Sequence, residues 1–257
     1  MKKIFIILKI NIKKVLLTSF LFLIATILFF PETLLQIDKI NKLVKGLGFQ
    51  LEYIQLFGNK SVSREEIIKK IVIENCDNLF CVNLEKSKNE IEKNNWVKSA
   101  KLKYNLPSKL SIVIEEEIPT FLLKETKQIS LLNIEGKKIQ DIEMISSDYK
   151  NLLILSGNGV ENEILDLLNI FSVSTSVSEK IKEATLVSSR RWSLKHSSNI
   201  IIELPEDNPD KAFYKIVELD KKYGFLNDKL KRIDLRMSDR MIIQLKNKSE
   251  LSKENDV

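Results

Sequence analysis

Residues 15–30 form an uninterrupted run of 16 amino acids without a charge, closed by Pro31 and Glu32 and preceded by Lys2, Lys3, Lys9, Lys13 and Lys14. A helix of that length covers about 24 Å, short of a hydrocarbon core of about 30 Å. Extension back through Ile10 and Ile12, with Lys13 and Lys14 snorkelling to the headgroups, gives about 21 residues and a full span. The run therefore reads as a single membrane anchor, residues 15–30, followed by a folded part. The basic flank ahead of it places residues 1–14 in the cytoplasm and the rest outside. A cleaved signal peptide shares the basic start, yet no small-x-small site follows: Phe29 and Phe30 lead into Pro31, Glu32 and Thr33. A buried globular helix fits less well, because no polar residue recurs at helical period within the run.

The same lysines account for the charge. Of the formal net +6, five charges fall in residues 1–14, which hold no acid. The remainder is close to neutral and has no basic stripe that could follow a phosphate backbone, so nucleic acid is excluded as a partner. The chain beyond the anchor is long enough for roughly two domains with cores of their own. Seven glycines and five prolines argue against a long flexible linker.

Leu51, Tyr53, Gln55 and Phe57 alternate up to the turn pair Gly58-Asn59, which predicts a strand. Ser63 with Glu66 three residues on predicts a capped helix with Ile67, Ile68, Ile71 and Val72 on its apolar face. A second helix is expected over residues 84–93. Residues 96–104 and 110–117 alternate again around Leu106-Pro107-Ser108, giving the order β-α-α-β-β. Trp96 reads as a core anchor and Glu115-Glu116-Glu117 as a solvated strand end, since neighbours in a strand point to opposite faces and make no carboxylate pair.

Four landmarks occur in a fixed order: Gly58-Asn59, Trp96-Val97-Lys98-Ser99-Ala100, Leu106-Pro107-Ser108-Lys109-Leu110, and Glu116 three residues before Pro119. Together they resemble a POTRA domain of the FtsQ/DivIB cell-division type. Asn95 stands where that family usually has Pro, and Glu117 where it often has a basic or aromatic residue. Further on, Arg191-Trp192-Ser193-Leu194, Leu204-Pro205, Ile233-Asp234-Leu235-Arg236 and Asp239-Arg240 resemble the second half of the same family, closest to its proteobacterial forms.

The second half reads as strands around the turn Asn133-Ile134-Glu135-Gly136, a short strand at 152–155, and a helix with Ile164, Leu167, Leu168 and Phe171. Three short strands follow over 184–204. A helix then opens on Asn208 as cap and Pro209 at its first position, carries Ala212, Phe213, Ile216 and Val217, and stops at Gly224. A hairpin closes the domain. The expected fold class is α+β: a transmembrane helix, a POTRA domain over 49–117 and an antiparallel β domain with flanking helices over 118–246. Residues 31–48 are expected as a linker and 247–257 as a polar tail.

No catalytic apparatus is legible. His196 is the only histidine, expected in a turn between strands, and alone it makes neither a triad nor a metal site. No Gly-rich phosphate loop occurs, so no cofactor is expected. Cys76 and Cys81 lack two further ligands for zinc; they are either a disulfide or two separate thiols. The resemblance implies a non-catalytic scaffold at the division septum that binds FtsB and FtsL and links early and late division proteins. A POTRA-bearing export component is the alternative, but that class ends in a barrel of many alternating strands, and residues 121–257 hold too few. The strand at 241–246 is expected at a sheet edge, open to a partner strand, with Met241, Ile243 and Leu245 on one face. Arg190, Arg191, Arg236, Met237 and Asp239 are expected beside it, the arginines facing acidic residues that the resemblance assigns to FtsB.

Overall fold

The computed structural model describes residues 18–20, 37–74, 76 and 78–247. The expected anchor lies outside the described residues except for Thr18, Ser19 and Phe20, which are helical. Among the described residues no helix is long and apolar enough to cross a membrane. Contacts divide the chain into two units: Met1–Lys93 with Ser99–Ile114, and Asn94–Lys98 with Glu115–Val257.

The first unit opens with a helix inside the stretch read as a linker, α1 (Ile37–Gly46). There follow β1 (Tyr53–Phe57), α2 (Arg64–Lys69), a 3-10 turn (Leu79–Cys81), α3 (Leu84–Glu92), β2 (Val97–Asn105) and β3 (Lys109–Glu116). The sheet order is β1-β3-β2, with β1 parallel to β3. Caps decide where the helices start: the Ser63 hydroxyl accepts from the Glu66 N–H at 3.2 Å and Asn83 Oδ1 from the Lys86 N–H at 3.0 Å. Ile67, Leu79, Ile91, Leu110 and Ile112 are fully buried. Gly58 has φ +87°, and a Cβ there would sit 2.0 Å from the Ile114 carbonyl oxygen, so no side chain fits this turn. Cys76 and Cys81 are joined as a disulfide with Cα atoms 5.7 Å apart.

The second unit is one sheet of nine strands: β4 (Phe121–Lys124), β5 (Ile129–Leu132), β6 (Lys138–Ile142), β7 (Leu153–Ser156), β8 (Ile181–Val187), β9 (Arg191–His196), β10 (Ile201–Glu203), β11 (Leu230–Asp234) and β12 (Ile242–Leu245). Their spatial order is β12-β11-β10-β9-β8-β7-β4-β5-β6. The expectation of an antiparallel domain is corrected here, because the sheet is mixed. Pairs β4/β7, β7/β8 and β10/β11 are parallel. Parallel neighbours need a crossover. Helices α4 (Ile164–Phe171) and α5 (Thr175–Ser178) lie between β7 and β8, and α6 (Pro209–Tyr223) lies between β10 and β11. Ile164, Leu167 and Ile170 of α4 and Phe213 and Ile216 of α6 join Leu155, Ala184, Trp192, Leu194, Ile202 and Ile233 in one core.

Three local expectations need correction. Asn208 precedes α6 but makes no side-chain cap; its φ of 51° turns it away from the helix and Pro209 supplies the first turn instead. Glu117 is not solvated: its carboxylate is buried and accepts from Asn133 Nδ2 at 3.0 Å and Lys137 Nζ at 3.1 Å. Glu117 lies one residue past the end of β3, while exposed Glu115, still within the strand, pairs with Lys98 at 3.2 Å. His196 ends β9 rather than sitting in a turn, and it is 3% exposed. Trp96 packs half-buried beside Leu122, Leu131 and Ile139, and its indole N–H donates to Gln140 Oε1 at 2.8 Å.

His196 Nδ1 accepts from the Ser198 N–H at 3.1 Å, and burial, then Lys180, lowers its pKa while Asp220 and Asp228 oppose them. A depressed imidazole takes its proton in the unfolded chain first. Its contribution to stability is therefore present above about pH 6.5 and lost as pH falls through the folded value. The melting temperature of the full chain in detergent should fall between about pH 7.5 and 5.5, and His196→Gln should flatten that fall. An equal fall in His196→Gln rules out this origin.

Candidate partner-binding edge

Among the described residues strand β12 pairs with β11 alone and ends the sheet. Its residues Ile242, Ile243 and Leu245 are 51%, 44% and 62% exposed, on both faces. The Lys246 N–H donates to the Lys229 carbonyl at 2.9 Å. Period two along an extended strand then turns the Gln244 and Ile242 amides toward β11 and those of Ile243 and Leu245 outward. The edge thus offers unpaired backbone groups between apolar side chains.

The register collects most of the arginines at one end of the sheet. Ser193 of β9 faces Glu203 of β10, and Glu203 faces Asp234 of β11, which faces Ile242. Arg190 and Arg191 before and at the start of β9 therefore share an end with Arg236, Met237, Asp239 and Met241, while Leu245 lies at the other end of β12. Arg190 pairs loosely with Glu206 at 3.4 Å, both more than half exposed. Arg191 is half-buried at the strand start. Arg236 is held by its own chain: Nε and Nη2 grip both oxygens of Asp234 at 2.6 to 3.0 Å. Asp239 pairs with Arg240 at 2.9 Å. Met237 is exposed, whereas Met241 is partly buried against the main core.

Between the start of α6 and the β11–β12 connection lies a groove of about 550 Å³, lined among others by Pro205, Glu206, Lys211, Leu235, Met237 and Met241. Sequence reasoning missed Glu206 and Lys211 as neighbours of this edge. Leu204-Pro205 was the available signal, since it ends β10 beside the last residues of β11.

Residues 49–117 match the family model "POTRA domain, FtsQ-type", and residues 122–236 match "Cell division protein FtsQ/DivIB, C-terminal". The chain belongs to the FtsQ/DivIB family. Similar proteins named "Cell division protein FtsQ" include one from Rickettsia bellii, 28% identical over 77% of this chain and 73% of that one. One from Rickettsia typhi is 28% identical over 81% of this chain and 77% of its own length, and one from Novosphingobium aromaticivorans 24% identical over 77% and 62%. The chain thus spans less than two thirds of the last of these. A solved extracytoplasmic domain of the division protein DivIB from Geobacillus stearothermophilus overlaps 44% of this chain at 8% identity and a TM-score of 0.31, too weak a likeness to bear on the fold. In this member of the FtsQ/DivIB family, β12 lies just beyond the matched residues.

The Asp234 pKa is lowered chiefly by its hydrogen bond from the Arg236 side chain. A lowered carboxyl stabilises the fold above the ordinary aspartate range, near pH 4, and loses that contribution as pH falls through its folded value. In Arg236→Gln the carboxyl resonance of Asp234 should titrate at higher pH than in the parent; an unmoved midpoint would show that the pair is not formed in solution.

Proposed function

We propose that this chain is a non-catalytic scaffold of the division machinery, anchored in the inner membrane by residues 15–30 with residues 1–14 in the cytoplasm and the rest outside. Its POTRA domain (49–117) and β domain (118–246) stand at the septum, where the chain binds FtsB and FtsL, FtsB through the β domain, and links early to late division proteins. The observation that carries the reading is the open edge of β12, whose outward amides and exposed Ile243 and Leu245 suit the addition of a partner strand. Arg190 supports it as well: its ion pair with Glu206 joins two exposed groups, and such pairs are worth little, so a carboxylate on the partner can replace Glu206. Arg236 contributes in a different way. Its grip on Asp234 fixes the connection that leads into β12.

Ile243→Pro removes an outward donor and leaves the β11 ladder intact. FtsB should bind this variant at least about tenfold more weakly while the melting temperature stays near that of the parent. A well-folded Ile243→Pro with parental affinity would place the contact elsewhere. The topology has its own test: alkaline phosphatase fused after residue 257 should be active, and an inactive, well-expressed fusion would reverse the orientation.

A further inference from the structure

Six residues, 31–36, separate the end of the apolar run at residue 30 from the start of helix α1 (Ile37–Gly46). The Leu47 N–H donates to the Leu43 carbonyl at 3.0 Å and so extends the helical turn, and Gly48, with φ +88°, closes it. At 3.6 residues per turn, Ile40, Leu43 and Leu47 fall within an arc of about 60°. They are 52%, 67% and 65% exposed. Lys39 and Lys42 follow round the helix on one side of that arc, both exposed. Asn41 and Val44 lie on its other side and are half-buried, and Asn41 Oδ1 accepts from Asn78 Nδ2 at 2.9 Å. The helix is thus fastened to the first unit along one line and presents an apolar stripe with a basic margin along another.

We propose that this stripe is a second membrane contact: α1 lies in the headgroup layer of the bilayer that holds residues 15–30, with Ile40, Leu43 and Leu47 inserted and Lys39 and Lys42 on anionic lipid. The inference rests on the reading of residues 15–30 as an anchor. Seven Cα steps separate residue 30 from residue 37, at most about 25 Å of extended chain. A helix on so short a tether stays within reach of the interface. Its charge pattern is that of interfacial helices, which sink an apolar face to the acyl boundary and hold lysines over anionic headgroups. Contact there would hold the first unit against the membrane surface rather than let it swing on residues 31–36.

The full chain, labelled with an environment-sensitive dye at Leu43→Cys, Lys42→Cys or Leu23→Cys and reconstituted in vesicles of phosphatidylethanolamine and phosphatidylglycerol, tests this. The bonded Cys76 and Cys81 stay unlabelled without reductant. The dye at position 43 should be quenched by shallow spin-labelled lipid about twofold more strongly than the dye at 42, and the dye at 23 by deep spin-labelled lipid. Quenching at 23 without quenching at 43 overturns the proposal and leaves the anchor standing. Shielding of position 43 from aqueous iodide without lipid quenching also overturns it, and makes the stripe a protein contact. No quenching at 23 removes the anchor and this proposal together. In pure phosphatidylcholine vesicles the signal at 43 should weaken; an unchanged signal denies the lysines their part.

Discussion

Phe213 and Ile216 of α6 reach into the same core as Trp192, Leu194, Ile202 and Ile233, and Ile164, Leu167 and Ile170 of α4 join them there. Burial of one sheet face under two crossover helices is the constraint from which the rest of the second unit follows. It fixes register, because a slip of one residue would turn every core side chain to water. Toward β11 the opposite face is left to polar pairs, Lys195 with Glu183 at 2.8 Å, Ser156 with Thr185 at 2.8 Å and Arg232 with Glu203 at 2.5 Å, while at β4 to β6 it carries the second apolar cluster of Leu122, Leu131 and Ile139. The same burial also makes β7/β8 and β10/β11 parallel, since each helix crossover returns the chain to the same end of the sheet. The four residues of β12 are all exposed, so the covered face stops short of this last hairpin strand.

The elements with strong period were legible in the sequence. Strand alternation gave β2, β3, β9 and β12 within a few residues, and the Pro209-to-Gly224 helix was marked at both ends. What stayed hidden has a common physical cause. Strand direction depends on which neighbour a strand finds after a crossover, and the order of elements does not carry that neighbour, even with helices, α4 and α6, expected between strands. Helix α1 was read as linker although Ile40, Leu43, Val44 and Leu47 recur at helical spacing between lysines.

The polar residues of the core were the least legible. Glu117 and Glu115 are the same residue type two positions apart, yet one meets Asn133 and Lys137 across the fold while the other meets Lys98 beside it. Only the long-range partner separates them, and no local pattern carries it. His196 is similar: it was read as a turn residue from its flanking Ser197-Ser198, and the turn does begin one position later. For the candidate edge, the sequence supplied the residues but not their pairing. That Arg236 is bound to Asp234 while Arg190 is tied only to an exposed Glu206 emerges from side-chain geometry alone.

Exposed sheet edges invite wrong pairing, and proteins blunt those they do not use. The described edges differ in how this is done. Strand β6 carries Lys138, Gln140 and Asp141 outward, with Lys138 and Asp141 paired at 2.6 Å. Strand β2 sets exposed Lys98, Lys101 and Lys103 along its length. Strand β1 exposes Tyr53 and Phe57, but the Arg64 guanidinium takes up the Ile54 carbonyl and Lys109 stands 5.9 Å over the Tyr53 ring. Strand β12 reads Ile242-Ile243-Gln244-Leu245, without a charge, a proline or a bulge of its own; the irregularity in its ladder falls on β11 between Leu230 and Arg232. An edge left so bare beside three that are charged or covered is stable in a monomer only if aggregation through it is opposed. A partner strand that occupies it supplies that opposition, and the same absence of charge that would make β12 a hazard alone makes it the edge best suited to be filled.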